Sequence, residues 1–162
     1  MTRVPLSKAD RSELLPLIAR CHLFSELNAA QIDTVLEHTR VVDLDEGETL
    51  IEQQQPAREF FLLERGQVKL ARYSPDGNEK IIDLIAPGGT FAEAIMFAKQ
   101  PAYPVSAVAI TPSRVLCFGA QAYIDILRGS TEACFAVMAQ MRTGSFRLFP
   151  EEVEACYLLV EA

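Results

Sequence analysis

The chain of 162 residues has no run of 18 or more apolar residues, so no membrane-spanning helix is expected. Its start, Met1-Thr2-Arg3-Val4-Pro5, has neither an apolar segment nor a small-residue cleavage site, so no secretory signal is read there. A cytoplasmic location is the expectation. Basic residues are scarce: 15 stand against 22 acidic ones, for a net charge of −7. Binding to DNA requires Lys and Arg to neutralise phosphates. No basic stripe and no helix-turn-helix pattern is seen, so this chain is expected to bind DNA poorly. Its four cysteines, Cys21, Cys117, Cys134 and Cys156, have no metal-ligand spacing, and they read as reduced, mostly buried residues. There are only two histidines, His22 and His38. Neither lies in the central segment, where a jelly-roll metalloenzyme would need a His-x-His pair with a carboxylate. Ser106 and Ser113 have no histidine near them in sequence, so no catalytic triad is read. The chain is expected not to be an enzyme. Metal sites are not expected, and there are no internal repeats.

What is present is a hydrophobic content of 49%, enough for one domain with a sizeable core. Four stretches follow one another. Residues 1–40 read as N-terminal helices. Ser7 with Asp10 opens the first, whose apolar side is Leu14, Leu15, Leu17 and Ile18. Asn28 with Gln31 opens the second in capping-box fashion, with Ile32, Val35 and Leu36 as its stripe. Residues 41–118 change texture: short β-branched and aromatic runs alternate with Gly or Pro turns, the rhythm of an all-β sandwich or barrel. Pro75-Asp76-Gly77 is a hairpin signal. Residues 119–144 return to helix. Gln121–Leu127 ends at Gly129, and Ser130-Thr131-Glu132 opens a second helix that is apolar almost all round, which predicts burial on several sides. The natural second partner for such a helix is another copy of the chain, through Cys134, Val137, Met138 and Met141. Residues 145–162 form a tail whose structure is not read from the sequence.

The segment Pro87 to Val105, PGGTFAEAIMFAKQPAYPV, carries the sharpest signal. It resembles the phosphate-binding cassette of the cyclic-nucleotide-binding fold, the sensor module of Crp/Fnr transcription regulators. The likeness runs from about Leu17 to Met141. His22-Leu23-Phe24, Val68-Lys69-Leu70, Gly77-Asn78-Glu79-Lys80-Ile81 and Phe91-Ala92-Glu93-Ala94-Ile95-Met96-Phe97 make it most similar to the dissimilatory nitrate respiration regulators. The resemblance implies a double-stranded β-helix, or jelly roll, with N-terminal helices and a C-terminal apolar dimerisation helix. It implies a homodimer that reaches DNA only through a helix-turn-helix domain, which does not follow residue 145 here. In nucleotide-binding relatives one arginine just after the short helix holds the cyclic phosphate. Tyr103, next to Pro104, takes that place, so cyclic AMP is not the expected ligand.

The same resemblance implies haem as cofactor and nitric oxide as a small gaseous ligand, controlling denitrification genes. Haem asks for an apolar slot and an axial ligand. Phe91, Met96, Phe97, Tyr103, Phe135 and Met138 are the expected lining, with His22 or Cys21 as axial candidates. His22 reads as a helix-terminal residue ahead of a ligand. Glu93 matches the glutamate that meets the ribose in nucleotide-binding relatives, and it also suits a cap on the helix Ala94–Phe97. Arg58 and Arg114 are the substitute-clamp candidates, and both read as surface charges. Two other functions remain open: a dimeric interaction module with no small-molecule ligand, and a cyclic-nucleotide sensor.

Overall fold

The computed structural model describes residues 1–93, 97–98 and 101–142, with backbone alone for 140–142. The strands are β1 (Thr2–Pro5), β2 (Thr39–Leu44), β3 (Thr49–Ile51), β4 (Glu59–Arg65), β5 (Val68–Tyr73), β6 (Glu79–Ile85), β7 (Thr90–Phe91), β8 (Ser106–Ala109) and β9 (Ser113–Gly119). The helices are α1 (Lys8–Arg20), α2 (Ala29–Glu37), α3 (Ala120–Arg128) and α4 (Thr131–Arg142). All strand pairing is antiparallel. A five-stranded sheet runs β1-β2-β9-β4-β7, and a four-stranded sheet runs β3-β8-β5-β6. This is the jelly roll that the sequence predicts.

The middle strands of the five-stranded sheet form a wall buried on both faces. Successive side chains on a strand point to opposite sides. Phe60, Leu62, Leu116, Phe118 and Val41 therefore face the helices, in one core cluster with Leu14, Ile18, Phe24, Val35 and Tyr123. Phe61, Leu63, Val115, Cys117 and Val42 face the other sheet, in a second cluster with Val68, Leu70, Phe91 and Tyr103. That two-sided burial is why β4 and β9 read as continuous apolar runs rather than alternating ones. On the helix side the rings of Phe24 and Phe118 lie 4.8 Å apart and those of Phe60 and Phe118 5.1 Å apart. Pairs of this kind add roughly 0.5–1.5 kcal/mol beyond the area they bury. The Tyr123 hydroxyl donates to the Leu23 carbonyl and so ties α3 to the turn after α1.

Local chemistry sets the helix starts. Ser7 Oγ accepts the Asp10 N–H at 3.1 Å, and the Ser7 N–H donates back to the Asp10 carboxylate at 3.1 Å. Asn28 and Gln31 repeat the exchange at 2.8 and 2.9 Å. Each box satisfies two N–H groups that a helix start otherwise leaves open. Ser130 Oγ accepts the Ala133 N–H at the start of α4. The Pro75-Asp76-Gly77 hairpin forms as expected, with Gly77 at φ 84°.

Three expectations change. The stretch 1–40 is not helical throughout: β1 precedes α1 and pairs with β2, which begins at Thr39. Thr2–Pro5 is exposed at every position, so it carries no hydrophobic period to read. Leu15 belongs to no apolar side and stands 46% exposed. The closing helix α4 buries one side within its own chain and leaves another open for the expected second copy. Ala133 and Val137 are in the core, while Phe135 is 63% exposed and Met138 53%. Val137 packs in the helix-side cluster of its own chain, so it is a core residue rather than an interface residue.

Candidate functional site

The site is built where the Pro87 turn, β7 and the segment around Tyr103 close the inner cluster. Gly88, at φ 87°, donates its N–H to the Leu63 carbonyl at 2.8 Å, and the Leu63 N–H donates to the Gly89 carbonyl at 2.9 Å. The Gly-rich turn is thereby laced to β4. A Cβ on Gly89 would sit 2.9 Å from the Ala86 carbonyl oxygen, so the turn closes only around glycine. Phe91 then stacks on Phe61, with ring centroids 5.0 Å apart. Ala92 follows in the left-handed region at φ 69°, where a residue with a Cβ is rarely found. Such strain persists only where surrounding structure imposes it, and it gathers at functional sites. The reversal at Ala92 turns Glu93 inward. Glu93 is 7% exposed, and the Thr90 hydroxyl donates to its carboxylate at 3.0 Å.

Tyr103 occupies the expected clamp position and is 2% exposed. Its hydroxyl donates to the Glu59 carbonyl at 2.7 Å and accepts the Glu59 N–H at 3.1 Å. Its own backbone pairs with the loop before β4: the Tyr103 N–H donates to Gln55, and the Gln54 N–H donates to Tyr103. The ring lies 6.2 Å from that of Phe61. Burial pushes the phenol pKa up, so the group stays neutral and keeps its proton for Glu59. The clamp position therefore carries a neutral ring used to seal the roll.

No substitute cation faces the inner cluster from the two expected arginines. Arg114 lies on the helix-facing side of β9, in register with Leu116 and Phe118. There it is paired with Asp43 at 3.0 Å and Glu64 at 3.8 Å. Arg58 is exposed just before β4.

The residues expected to line one haem slot are found in three places. Phe91 and Tyr103 belong to the inner cluster. Phe97 packs against the helix-side cluster, 6.5 Å from the Tyr123 ring. Phe135 and Met138 face outward from α4. Met96 and the helix segment Ala94–Ile95 lie outside the described residues, as do the Met141 side chain, Cys156 and the tail. Cys21 is buried at the end of α1, and burial pushes its thiol up to about 11, with the Glu93 carboxylate adding to the rise. A thiol held protonated is a poor metal ligand. His22 is half-buried beside Cys21, and desolvation lowers its pKa, which favours the neutral imidazole. Cys134 is half-buried, with its thiol directed at the Leu127 carbonyl. Among the described residues no three His, Cys, Asp or Glu side chains are grouped as a metal site, and no helix is long and apolar enough to cross a membrane.

Comparison with known proteins bears on this geometry. The family model for the cyclic nucleotide-binding domain matches residues 41–130. The chain belongs to the cyclic nucleotide-binding domain family, in its Crp/Fnr-like branch. The sensor domain of the transcriptional regulator DNR from Pseudomonas aeruginosa is 34% identical, with a TM-score of 0.77, and the match covers 85% of this chain and 91% of that one. A putative cyclic nucleotide binding protein from Ruegeria pomeroyi is 27% identical, with a TM-score of 0.70 over 83% of this chain and 59% of that one. A CRP-like cAMP-activated global transcriptional regulator from Mycobacterium tuberculosis is 27% identical over 100 residues, which is 62% of this chain and 44% of that regulator. The matched part is thus less than half the length of that curated relative.

Three features of this cyclic nucleotide-binding domain were not legible in its sequence. The left-handed Ala92, the Thr90–Glu93 bond and the Tyr103 hydroxyl bridge all depend on backbone geometry or on partners far along the chain. Only the Tyr-Pro pair at 103–104, in place of a cation, gave a signal.

Proposed function

We propose that this chain is the effector-sensing domain of a Crp/Fnr-type transcription regulator, and that its effector is not a cyclic nucleotide. The observation that carries this is Tyr103, buried at the clamp position with its hydroxyl committed to Glu59. A cyclic phosphate entering there would meet the Glu93 carboxylate and, at the clamp position, a neutral phenol in place of a guanidinium. A buried unpaired phosphodiester is costly. Sensing would then act by a ligand shifting the balance between two settings of α4, through its different affinity for each. The chain would act in the cytoplasm as a homodimer and reach DNA through a separate domain.

Haem with nitric oxide, in control of denitrification genes, is the effector pair that the Crp/Fnr resemblance offers. Its support here is His22, whose desolvated imidazole is kept in the neutral form that ligates metals. Among the described residues the apolar candidates lie in three places: Phe91 and Tyr103 in the inner cluster, Phe97 against the helix-side one, and Phe135 and Met138 on the open face of α4. The dimer reading is supported by Phe135 and Met138, two large apolar side chains on the open face of α4.

The deciding experiment is calorimetric titration of the purified chain with cyclic AMP and, separately, with haem followed by absorbance. No heat of binding is expected with cyclic AMP, and a micromolar or tighter constant would overturn the non-nucleotide reading. A saturable Soret shift at about one equivalent per chain, altered in His22→Ala, would support haem. A spectrum of free haem alone would remove haem and leave an apolar effector or an interaction module.

A further inference from the structure

The edges of the two sheets are not alike. Three edge strands are short: β1 has four residues, β3 three and β7 two. Shortness is a usual way to blunt an edge. The fourth edge, β6, has seven residues and, among the described residues, pairs with β5 alone. It also carries Ile81 at 54% exposure and Leu84 at 51%. Leu84 is in register with Lys69, and Ile81 with Ala71, on the outward face of the four-stranded sheet. Tyr73, 37% exposed, shares that face. The Lys69–Glu79 ion pair at 2.6 Å closes the same surface. Single exposed apolar residues are unremarkable, but an apolar group on a long open edge calls for a partner.

We propose that β6 is an interface between two copies of this chain, joined antiparallel about a two-fold axis between Ile81 and Ile82. The sequence Glu79-Lys80-Ile81-Ile82-Asp83-Leu84 is self-complementary in that register. Lys80 lies opposite the partner's Asp83, and Asp83 opposite the partner's Lys80. A two-fold contact uses the same patch on both copies, so each favourable pair occurs twice. Ile81 and Ile82 meet at the centre, where the single β6 bulge falls, between the two regular halves of the strand. The product is an eight-stranded sheet, with the outward apolar groups of the two copies brought side by side. This surface is separate from the α4 face, so the two contacts are separable by mutation.

The test is sedimentation velocity of the whole chain carrying Met138→Glu, which removes association across α4. Asp83→Lys in that background places Lys opposite Lys twice and is expected to weaken self-association at least about tenfold, since like charges directly opposite destabilise a strand pair. The charge swap Lys80→Asp with Asp83→Lys restores both pairs and is expected to recover it to within about threefold. Hydrogen exchange gives an independent readout: amides of Glu79–Leu84 should gain protection as protein concentration rises. Absence of self-association, association indifferent to Asp83→Lys, or a swap that melts like the parent yet does not reassociate would each overturn the proposal. If Asp83→Lys does not fold, Lys80→Asp serves in its place, with the same expected loss and the same swap as rescue.

Discussion

The five-stranded sheet and the four-stranded sheet face each other across one cluster, yet they hold the molecule together in different ways. The first is buried on both faces: Phe60, Leu62, Leu116 and Phe118 meet the helices, and Phe61, Leu63, Val115 and Cys117 meet the opposite sheet. The second is more open on its outer face, where Ala71 and Ser106 are buried but Ile81 and Leu84 stand exposed, and its outermost strand, β6, is largely exposed. The helices meet the inner cluster across the middle strands of this sheet and at Ala92, which packs against both clusters. Tyr103 and Phe91 are thus connected to Tyr123 through β4 and β9, and through Ala92 and the Phe97 that lies beside Tyr123. In this fold the middle strands of the five-stranded sheet divide the two clusters, and the four-stranded sheet covers the inner one.

The largest expected effect breaks the wall. Phe118→Ala removes a ring packed against Phe24 and Phe60 and should cost about 3–5 kcal/mol. Leu84→Ala on the cover should lie within about 0.5 kcal/mol, measured at dilution where the chain is monomeric. Chemical denaturation of both variants checks the contrast. Comparable losses would mean that the two sheets share the load.

Gly66 marks where the two sheets are tied at the start of β5. At φ 94° it allows the turn, and an added Cβ would lie 2.2 Å from Ser113 Oγ. Ser113 in turn accepts the Gln67 N–H and donates to the Thr111 carbonyl at 2.7 Å. Gly66→Ala therefore combines a left-handed Cβ with a collision against a hydrogen-bonded side chain, and about 2–3 kcal/mol of destabilisation is expected. A melting temperature within a degree or two of the parent would show that the β5–β9 corner repacks at little cost.

Tyr103→Phe is a sharper probe of the site and a smaller one. It keeps the ring against Phe61 and removes only the hydroxyl that bridges both backbone groups of Glu59. A loss of about 1–2 kcal/mol is expected. The variant should still fail to bind cyclic AMP, because removing a hydroxyl supplies no cation. Loss of stability without gain of nucleotide binding identifies Tyr103 as a seal. Gain of binding would show that the hydroxyl itself was the barrier.

The sequence made the wall and both capping boxes legible because their signals are local. The apolar run Phe60-Phe61-Leu62-Leu63 gives β4, and a Ser or Asn three residues before Asp or Gln gives each helix start. It made β1 illegible, because exposed strands have no period. It misplaced Val137, because a helix apolar all round does not say which side meets its own chain. The described lining residues are spread over the fold for a related reason. Phe91 and Phe97 are six positions apart in sequence, but the left-handed turn at Ala92 sends them to opposite sides of the wall.

The smallest effect concerns the Cys21 turn. Desolvation lowers the His22 pKa below its ordinary value of 6.5 in the folded chain. The folded state then binds a proton less readily than the unfolded state. The stability this confers is complete above pH 6.5 and is lost as pH falls through the depressed folded value. The lowered carboxylates Asp10 and Glu48 act in a lower window, because their ordinary values are 3.8 and 4.5. A melting temperature that declines between pH 7 and pH 5 is expected for the parent, with a flatter profile in His22→Gln. Parallel profiles would place His22 in water in both states, and would remove the one observation in this chain that favours it as a metal ligand.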